Sequence, residues 1–191
     1  MRATELLERQ FTSVHSILHD VADDLTAGEL TTRILPRTNL LGFDLWHVAR
    51  TQDWAVQTLV RGVPELIDEP EWRGRGALAT HGIGVGYSEG QADDLARAVA
   101  LADVLAYTDH VHTTILDWLR ALPDTALDGV ADVPPHLERY PVYLEPAMRA
   151  EVPWMFQSPP VWRCLNPAIG HVRDHLANMD LLKRHVRARG A

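Results

Sequence analysis

The sequence predicts an all-α protein built on a bundle of four long helices. In four separate segments, apolar residues recur three and four positions apart, which places them on one face of a helix with 3.6 residues per turn. No segment shows the strict period-two alternation of a half-buried strand. Amphipathic helices bury their apolar faces best against one another, so we expect a single four-helix-bundle domain over residues 1–191.

The first two helices are predicted from two uninterrupted apolar rows. We expect the first helix over residues 5–25. The second helix is expected to begin after a cap at Thr38 or Asn39 and to end at Gly62 and Pro64, because glycine and proline stop helices. The two rows consist of Leu7, Phe11, Val14, Leu18, Val21 and Leu25, and of Leu41, Leu45, Val48, Ala55 and Leu59.

The third helix is predicted to be the longest. Ser88 and Gln91 have the spacing of a capping box, in which each side chain satisfies a free backbone N–H at a helix start. The apolar row then continues to about Ala121, and Pro123 stops it. We therefore expect one continuous helix between the capping box and this proline.

The fourth helix is predicted to start at Asn166 and Pro167. Asparagine is a good N-cap, and proline is tolerated at the first helical position because the N–H it lacks would have no partner there. The helix is expected to run to about Arg187.

Two long ordered loops are expected over the bundle, at residues 64–90 and 124–164. The first contains a run of alternating glycines at 82–86, and the second contains seven prolines, which forbid a long helix. Within the second loop, a short helix is expected over residues 145–151. The tryptophans and the phenylalanine of the second loop are expected to anchor that loop to the bundle.

Composition and charge exclude several classes of function. The chain carries 26 acidic and 18 basic residues, a formal net charge of −8, which is the wrong sign for a nucleic-acid-binding protein. Charged residues interrupt every long apolar stretch, so no membrane span is predicted. The first residues lack the apolar segment and cleavage site of a secretory signal, so we expect a cytoplasmic protein. The single cysteine, Cys164, excludes an internal disulfide and is expected to be buried and inert.

Three histidines have the pattern of a metal site. His171 and His175 lie one turn apart on the core-facing side of the fourth helix, so both imidazoles can reach one ion. His47 lies beside the apolar row of the second helix, where it can supply a third ligand. Three imidazoles leave coordination positions open, as in catalytic zinc sites, and they also suit nickel or iron. The alternative is that these are buried histidines whose partners are neighbouring carboxylates.

Two further polar residues are predicted near this site. Asp109 and His112 interrupt the apolar row of the third helix, so they are expected to approach the same cavity and orient a ligand imidazole. His112 could instead be a fourth ligand, which would close the site.

Other histidines are expected outside the site. His15 and His19 lie off the apolar row of the first helix and are expected to face solvent. His81 and His136 lie in the two loops, and either could cover the cavity.

Two segments that contain these histidines resemble the corresponding segments of the DinB-like superfamily. The segments are residues 40–47 (LLGFDLWH) and 171–179 (HVRDHLANM). This superfamily of four-helix bundles includes mycothiol-dependent maleylpyruvate isomerases and related thiol S-transferases. The resemblance implies that His47, His171 and His175 hold a divalent metal ion, and that Asn178 lies beside them where relatives often carry a polar residue. Residues 82–91 are also similar to the glycine-containing start of the third helix in mycothiol-type members. The proline-rich segment 124–164 departs from the family pattern. We also expect no C-terminal domain of the kind that some maleylpyruvate isomerases carry.

The resemblance implies a function at the three histidines. A bound zinc or nickel ion would deprotonate a low-molecular-weight thiol, such as mycothiol, for transfer to an electrophilic substrate or for isomerisation. Two alternatives remain: a metal-dependent hydrolase using the same site, and a non-catalytic bundle that binds a metal or small ligand. The resemblance also implies a homodimer.

Overall fold

The computed structural model describes residues 2–190, with side chains to residue 188, and every regular element in this part of the chain is helical. An isolated β-bridge joins Val130 and Pro160. The predicted all-α fold is confirmed. Among the described residues, no helix has both the length and the apolar character needed to cross a membrane.

The described residues form ten α-helices, which are joined by π-helical and 3₁₀ segments. The α-helices are α1 (Ala3–Ala22), α2 (Ala27–Thr31), α3 (Leu41–Asp53), α4 (Pro70–Arg73), α5 (Glu89–Ala98), α6 (Leu101–Ala121), α7 (Val133–Leu137), α8 (Pro146–Glu151), α9 (Val161–Asn166) and α10 (Val172–Gly190). The π-helical segments are Trp54–Arg61 and Pro167–His171, and the 3₁₀ segments are Leu66–Asp68, Gly76–Ala79, Asp124–Asp128, Pro141–Leu144 and Pro153–Phe156.

Four long helical segments form the body of the fold. They are α1, α3 with its π-helical continuation, α6, and α9 with α10. Helix α1 packs against α6 and α10, and α3 packs against the same two helices on its own side, so the four surround one core. The apolar rows predicted for the first two helices line this core, where Phe11, Val14 and Leu45 are buried. The row predicted for the third helix does not, since Ala102 on it is exposed and Leu105 half-buried, and the buried face of α6 carries Val104, Tyr107, Val111 and Ile115. The bundle predicted from the apolar rows is therefore the frame that carries the site.

The third predicted helix is interrupted. The capping box at its start is present, since the Ser88 N–H donates to Gln91 Oε1 at 2.9 Å and the Gln91 N–H donates to Ser88 Oγ at 3.3 Å. However, Val99 and Ala100 adopt extended backbone angles and separate α5 from α6. The apolar spacing continues across this break, which is why the sequence predicts one helix.

Helix α5 packs closely on α3. A Cβ atom added to Gly42 of α3 would lie 2.7 Å from the carbonyl oxygen of Ala96 in α5. Only glycine allows this approach of the two backbones. The contact holds α5 against α2 and α3, whereas α6 packs along α1 and α3.

The fourth long helix begins earlier than predicted. Its N-cap is Pro160, and α9 starts at Val161. Asn166 has helical backbone angles instead of capping the helix, so the predicted start is wrong. Pro167 lies inside the helical segment, where it cannot donate a backbone hydrogen bond, and the chain widens into a π-helical turn that ends at His171.

The second long helix also differs at its start but ends as predicted. Its N-cap is Leu40, whose side chain makes no capping bond, so neither Thr38 nor Asn39 caps it. Its π-helical continuation ends at Gly62, which has a left-handed φ of +63°. Glycine favours this conformation, and the predicted stop is confirmed.

The two predicted loops are ordered by short helices. The segment expected to be helical at 145–151 forms α8. Large side chains from both loops are buried in the core, among them Trp72, Ile83, Tyr143 and Met155. The loops therefore form part of the core and bring residues close to the three histidines.

A buried ionic network attaches the first loop to α3. The Arg50 guanidinium donates to Asp53 Oδ2 and to the Tyr107 hydroxyl oxygen, each at 2.7 Å, and it pairs with Glu65. Glu65 also accepts a hydrogen bond of 2.7 Å from the Tyr143 hydroxyl. The side chains of Arg50 and both carboxylates are fully buried. Sequence reasoning missed this network, because the apolar pattern around Arg50 gives no sign that it faces the core.

Candidate metal centre

Three imidazoles meet between α3 and the last long helix. His47 Nε2 and His171 Nε2 are 2.9 Å apart, and the ring of His175 has its centroid 4.5 Å from each of the other two rings. One nitrogen atom from each ring lies within 4.8 Å of the others. Two nitrogens bound to one tetrahedral ion at 2.0–2.1 Å are about 3.3 Å apart, so a small outward movement of the rings would admit an ion. The cluster can therefore hold a divalent metal.

His47 is oriented by the first loop. It lies in the middle of α3 and is 7% exposed. Its Nδ1 atom lies 2.6 Å from the carbonyl oxygen of Ile83, and because a carbonyl only accepts, Nδ1 must carry the proton. The lone pair on Nε2 then faces the cluster, as in known metal sites where the second nitrogen is held by a hydrogen bond.

The first loop approaches α3 at a glycine. Gly84 has a left-handed φ of +84°, and a Cβ atom there would lie 2.6 Å from Cζ of Phe43. The Phe43 ring in turn stacks on His47, with ring centroids 6.0 Å apart. The glycine run seen in the sequence thus lets the loop lie close enough for Ile83 to reach His47.

His175 faces a buried carboxylate. Its Nδ1 atom lies 3.4 Å from Asp44 Oδ1, and Asp44 is 5% exposed. Asn39 Nδ2 donates a hydrogen bond of 2.8 Å to the same carboxylate. Sequence reasoning missed Asp44, although its position three residues before His47 on one helix face was a usable signal.

The environment keeps His47 and His171 neutral. Burial, together with the neighbouring imidazoles His175 and His171, lowers the pKa of His47 to about 4. Burial, followed by the nearby His175, also lowers the pKa of His171. Neutral imidazoles offer their lone pairs to a metal ion without first losing a proton. The donor set therefore fits zinc or nickel at neutral pH.

A cavity of about 510 Å³ opens onto the three histidines. Both loops supply its walls, the first with residues 83–86 and the second with Glu151, Val152 and Trp154. Neither candidate loop histidine lines it: His81 bonds to Asp68 at 2.8 Å, and His136 packs against Gly62.

The cavity wall combines apolar and polar groups. Thr51 and Trp54 follow His47 along α3 and its π-helical continuation, and Arg163 and Asn166 come from α9. The Arg163 guanidinium lies 5.3 Å from the Trp154 ring centroid, a cation–π contact that holds a positive charge at the cavity. The cavity therefore suits a small organic molecule with polar or anionic groups.

The structure corrects the expected positions of Asp109 and His112. Asp109 Oδ1 accepts hydrogen bonds from His15 Nε2 at 2.7 Å and from His19 Nε2 at 2.8 Å, and the ring of His112 stacks on that of His15 at 4.1 Å. These residues lie on the face of α6 that packs against α1, away from α3 and α10. They therefore do not orient the three site histidines. His15 and His19, expected to face solvent, are half-buried.

Asn178 also lies outside the cavity. It is exposed on α10, one turn beyond His175, and is not among the residues of the cavity wall. The carboxylate of Asp44 takes the supporting position that the resemblance implied for Asn178.

The Asp44→Asn variant is expected to bind zinc at this site roughly 10–100-fold more weakly, because the charged support of a ligand imidazole is lost. The amide oxygen of the new side chain can still accept from Asn39, so the fold should be retained. Isothermal titration of the metal-free protein with zinc measures the change. Asp94→Asn, which removes a charge from a side chain that is 87% exposed on α5, serves as the control. Equal affinities in the two variants would contradict the role of Asp44.

Comparison with known proteins identifies the family of the chain. Residues 10–179, which include all three site histidines, match the family model of the DinB superfamily. No curated protein matches the chain. Among solved structures, the chain is similar to a conserved protein from Enterococcus faecalis, with 16% sequence identity, a TM-score of 0.71, and coverage of 98% of this chain and 99% of that chain. At this identity the likeness concerns the fold alone. The extent of the family match, together with the all-helical architecture, shows that the chain belongs to the DinB superfamily.

Proposed function

We propose that the protein is a divalent-metal-dependent enzyme that activates a low-molecular-weight thiol at His47, His171 and His175. The observation that carries this proposal is the cluster of three imidazoles at a cavity of about 510 Å³. Three protein ligands leave coordination positions for an exogenous molecule, which distinguishes a catalytic site from a closed structural one.

The chemistry depends on an external thiol. A divalent ion bound by the three imidazoles would lower the pKa of a coordinated thiol and so provide a thiolate nucleophile at neutral pH. The protein's own cysteine cannot take this role, because Cys164 is fully buried and burial raises the pKa of its thiol to about 12. The nucleophile must therefore enter the cavity from solution. Mycothiol, implied by the family resemblance, is one candidate.

The cavity wall would orient the thiol and its electrophilic partner. Arg163 supplies a positive charge that is suited to a carboxylate, and Asn166 supplies an amide next to it. Trp54 and Trp154 provide apolar surface that excludes water from the reacting groups. Transfer of the thiol to the electrophile, or isomerisation through a reversible thiol adduct, is the reaction class that this arrangement supports.

The proposal is tested by adding thiols to the cobalt-loaded protein. Cobalt(II) replaces zinc in imidazole sites, and a coordinated thiolate gives a sulfur-to-cobalt charge-transfer absorption. We expect this absorption with mycothiol or 2-mercaptoethanol in the wild-type protein and its loss in His171→Ala. A wild-type protein that binds cobalt but shows no such absorption would contradict thiol activation. Release of product from ester or amide substrates under those conditions would then establish the hydrolase alternative.

A further inference from the structure

A second cluster of metal-ligating side chains lies where α1 packs against α6. His15 and His19 are one turn apart on α1, and Asp109 faces them from α6. One ligand atom from each residue lies within 4.8 Å of the other two. The cluster shares no residue and no helix with the His47 site. Its two imidazoles and one carboxylate are the donor types of divalent transition-metal sites.

The orientation of His19 favours metal binding. Its Nδ1 atom lies 2.9 Å from Asp23 Oδ1, and an ionised carboxylate can only accept a hydrogen bond. Nε2 faces Asp109 Oδ1 at 2.8 Å, and an ion bound between them would replace the Nε2 proton while Asp23 continues to hold Nδ1. A carboxylate behind a ligating imidazole is the usual support in protein metal sites, and Asp44 has the same relation to His175.

The second ligand ring is also held in place, and the cluster is accessible. The His15 ring stacks on His112, with ring centroids 4.1 Å apart and planes inclined by 13°. The side chain of Asp109 is 54% exposed, and those of His15 and His19 are 22% and 27% exposed. An ion can therefore reach the ligands from solvent, and water can fill its remaining positions.

We propose that His15, His19 and Asp109 form a second divalent-metal site, which links α1 to α6 and is supported by Asp23. Asp109 lies ninety residues from His19 in the chain, so the ligands of this site come together only in the folded protein. Binding should therefore stabilise the native protein by mass action. This inference does not depend on the proposed function of the His47 site.

Metal stoichiometry tests the proposal. Untagged, metal-free full-length protein is titrated with zinc, and bound ions are counted after equilibrium dialysis. We expect two ions per chain in the wild-type protein, one in His19→Ala, one in His171→Ala, and none in the combined variant. Loss of an ion from only His171→Ala would support the His47 site and overturn the second one. Loss of an ion from only His19→Ala would support the second site and contradict the His47 site, so failures of the two sites are distinguishable.

Two further variants separate a metal site from a hydrogen-bonded cluster. Asp109→Asn keeps a hydrogen-bond acceptor but loses the anionic ligand, so we expect it to lose the second ion and to keep the helical circular dichroism of the wild type. Asp23→Asn should weaken the second site roughly tenfold and leave the first unchanged. If His15, His19 and Asp109 only form hydrogen bonds, zinc will not raise the thermal midpoint of His171→Ala, and this result would overturn the proposal.

Discussion

The Arg50→Met variant is expected to lose roughly 3–5 kcal/mol of unfolding free energy, because breaking a buried ion pair leaves an uncompensated charge in the core. Arg50 is fully buried and bonds to Asp53 and to Tyr107, each at 2.7 Å, besides pairing with Glu65. Methionine fills a similar volume but offers no donor. Two buried carboxylates would then face each other without a cation.

The loss should depend on pH. Burial raises the pKa of Asp53 to about 6, although Arg50 opposes this shift. A group whose pKa is higher in the folded state stabilises the fold when protonated, and this contribution is lost as pH rises through the folded-state pKa. Without the positive charge of Arg50, the ionised form of Asp53 is less stable, and its folded-state pKa should rise further. We therefore expect Arg50→Met to be more destabilising at pH 8 than at pH 5.

Urea unfolding followed by circular dichroism measures both effects. Arg97→Met, at a side chain that is 52% exposed on α5, serves as the control and should change stability by less than about 1 kcal/mol. The triple variant Arg50→Met, Asp53→Asn, Glu65→Gln should recover part of the loss, because the charges that lack a partner are removed as well. A loss below about 1 kcal/mol in Arg50→Met would show that the network contributes little to stability.

The second large effect is expected at the metal site. Each of His47→Ala, His171→Ala and His175→Ala should lower the metal content by one ion per chain. Loss of a supporting group alone weakens metal binding about 10–100-fold, and loss of one of three ligands should weaken it further. Elemental analysis of protein dialysed against a weak chelator measures the change.

The controls for this experiment lie on the same helix. His185 is ten residues beyond His175, about 15 Å along the helix axis, so His185→Ala should retain the ion. His171 is exposed, whereas His47 is buried, so His171→Ala separates metal loss from damage to the core. Full metal content in a folded His171→Ala protein would contradict the three-histidine site.

Much of the candidate site could be read from local spacing. Positions three or four residues apart share a helix face whatever the helix packs against, so the pairing of His171 with His175 follows from the sequence. The same rule predicted the apolar rows of the bundle. The neighbouring Asp44 obeys it as well, and only its identity as a partner of His175 required the structure.

Groups that depend on neighbours distant in sequence were predicted less well. The apolar spacing runs through Val99 and Ala100, so the break between α5 and α6 leaves no trace in it. Asn166 and Pro167 have the residue types of a helix start, but buried contacts of Val161 and Cys164 extend the helix backwards and a π-helical turn accommodates the proline. Tertiary packing outweighs local preference at both places.

By itself, the sequence determined that the protein is helical, where the apolar faces of the first two long helices lie, and that three histidines can share one ion, because each of these depends on residues close together along a helix. Only the tertiary structure decided which helices face each other. Helix α6 contacts both α1 and α3, and nothing in its own sequence shows that Asp109 turns toward His15 and His19. The burial of Arg50 has the same origin, since its partner Glu65 is placed by a loop that folds back over α3.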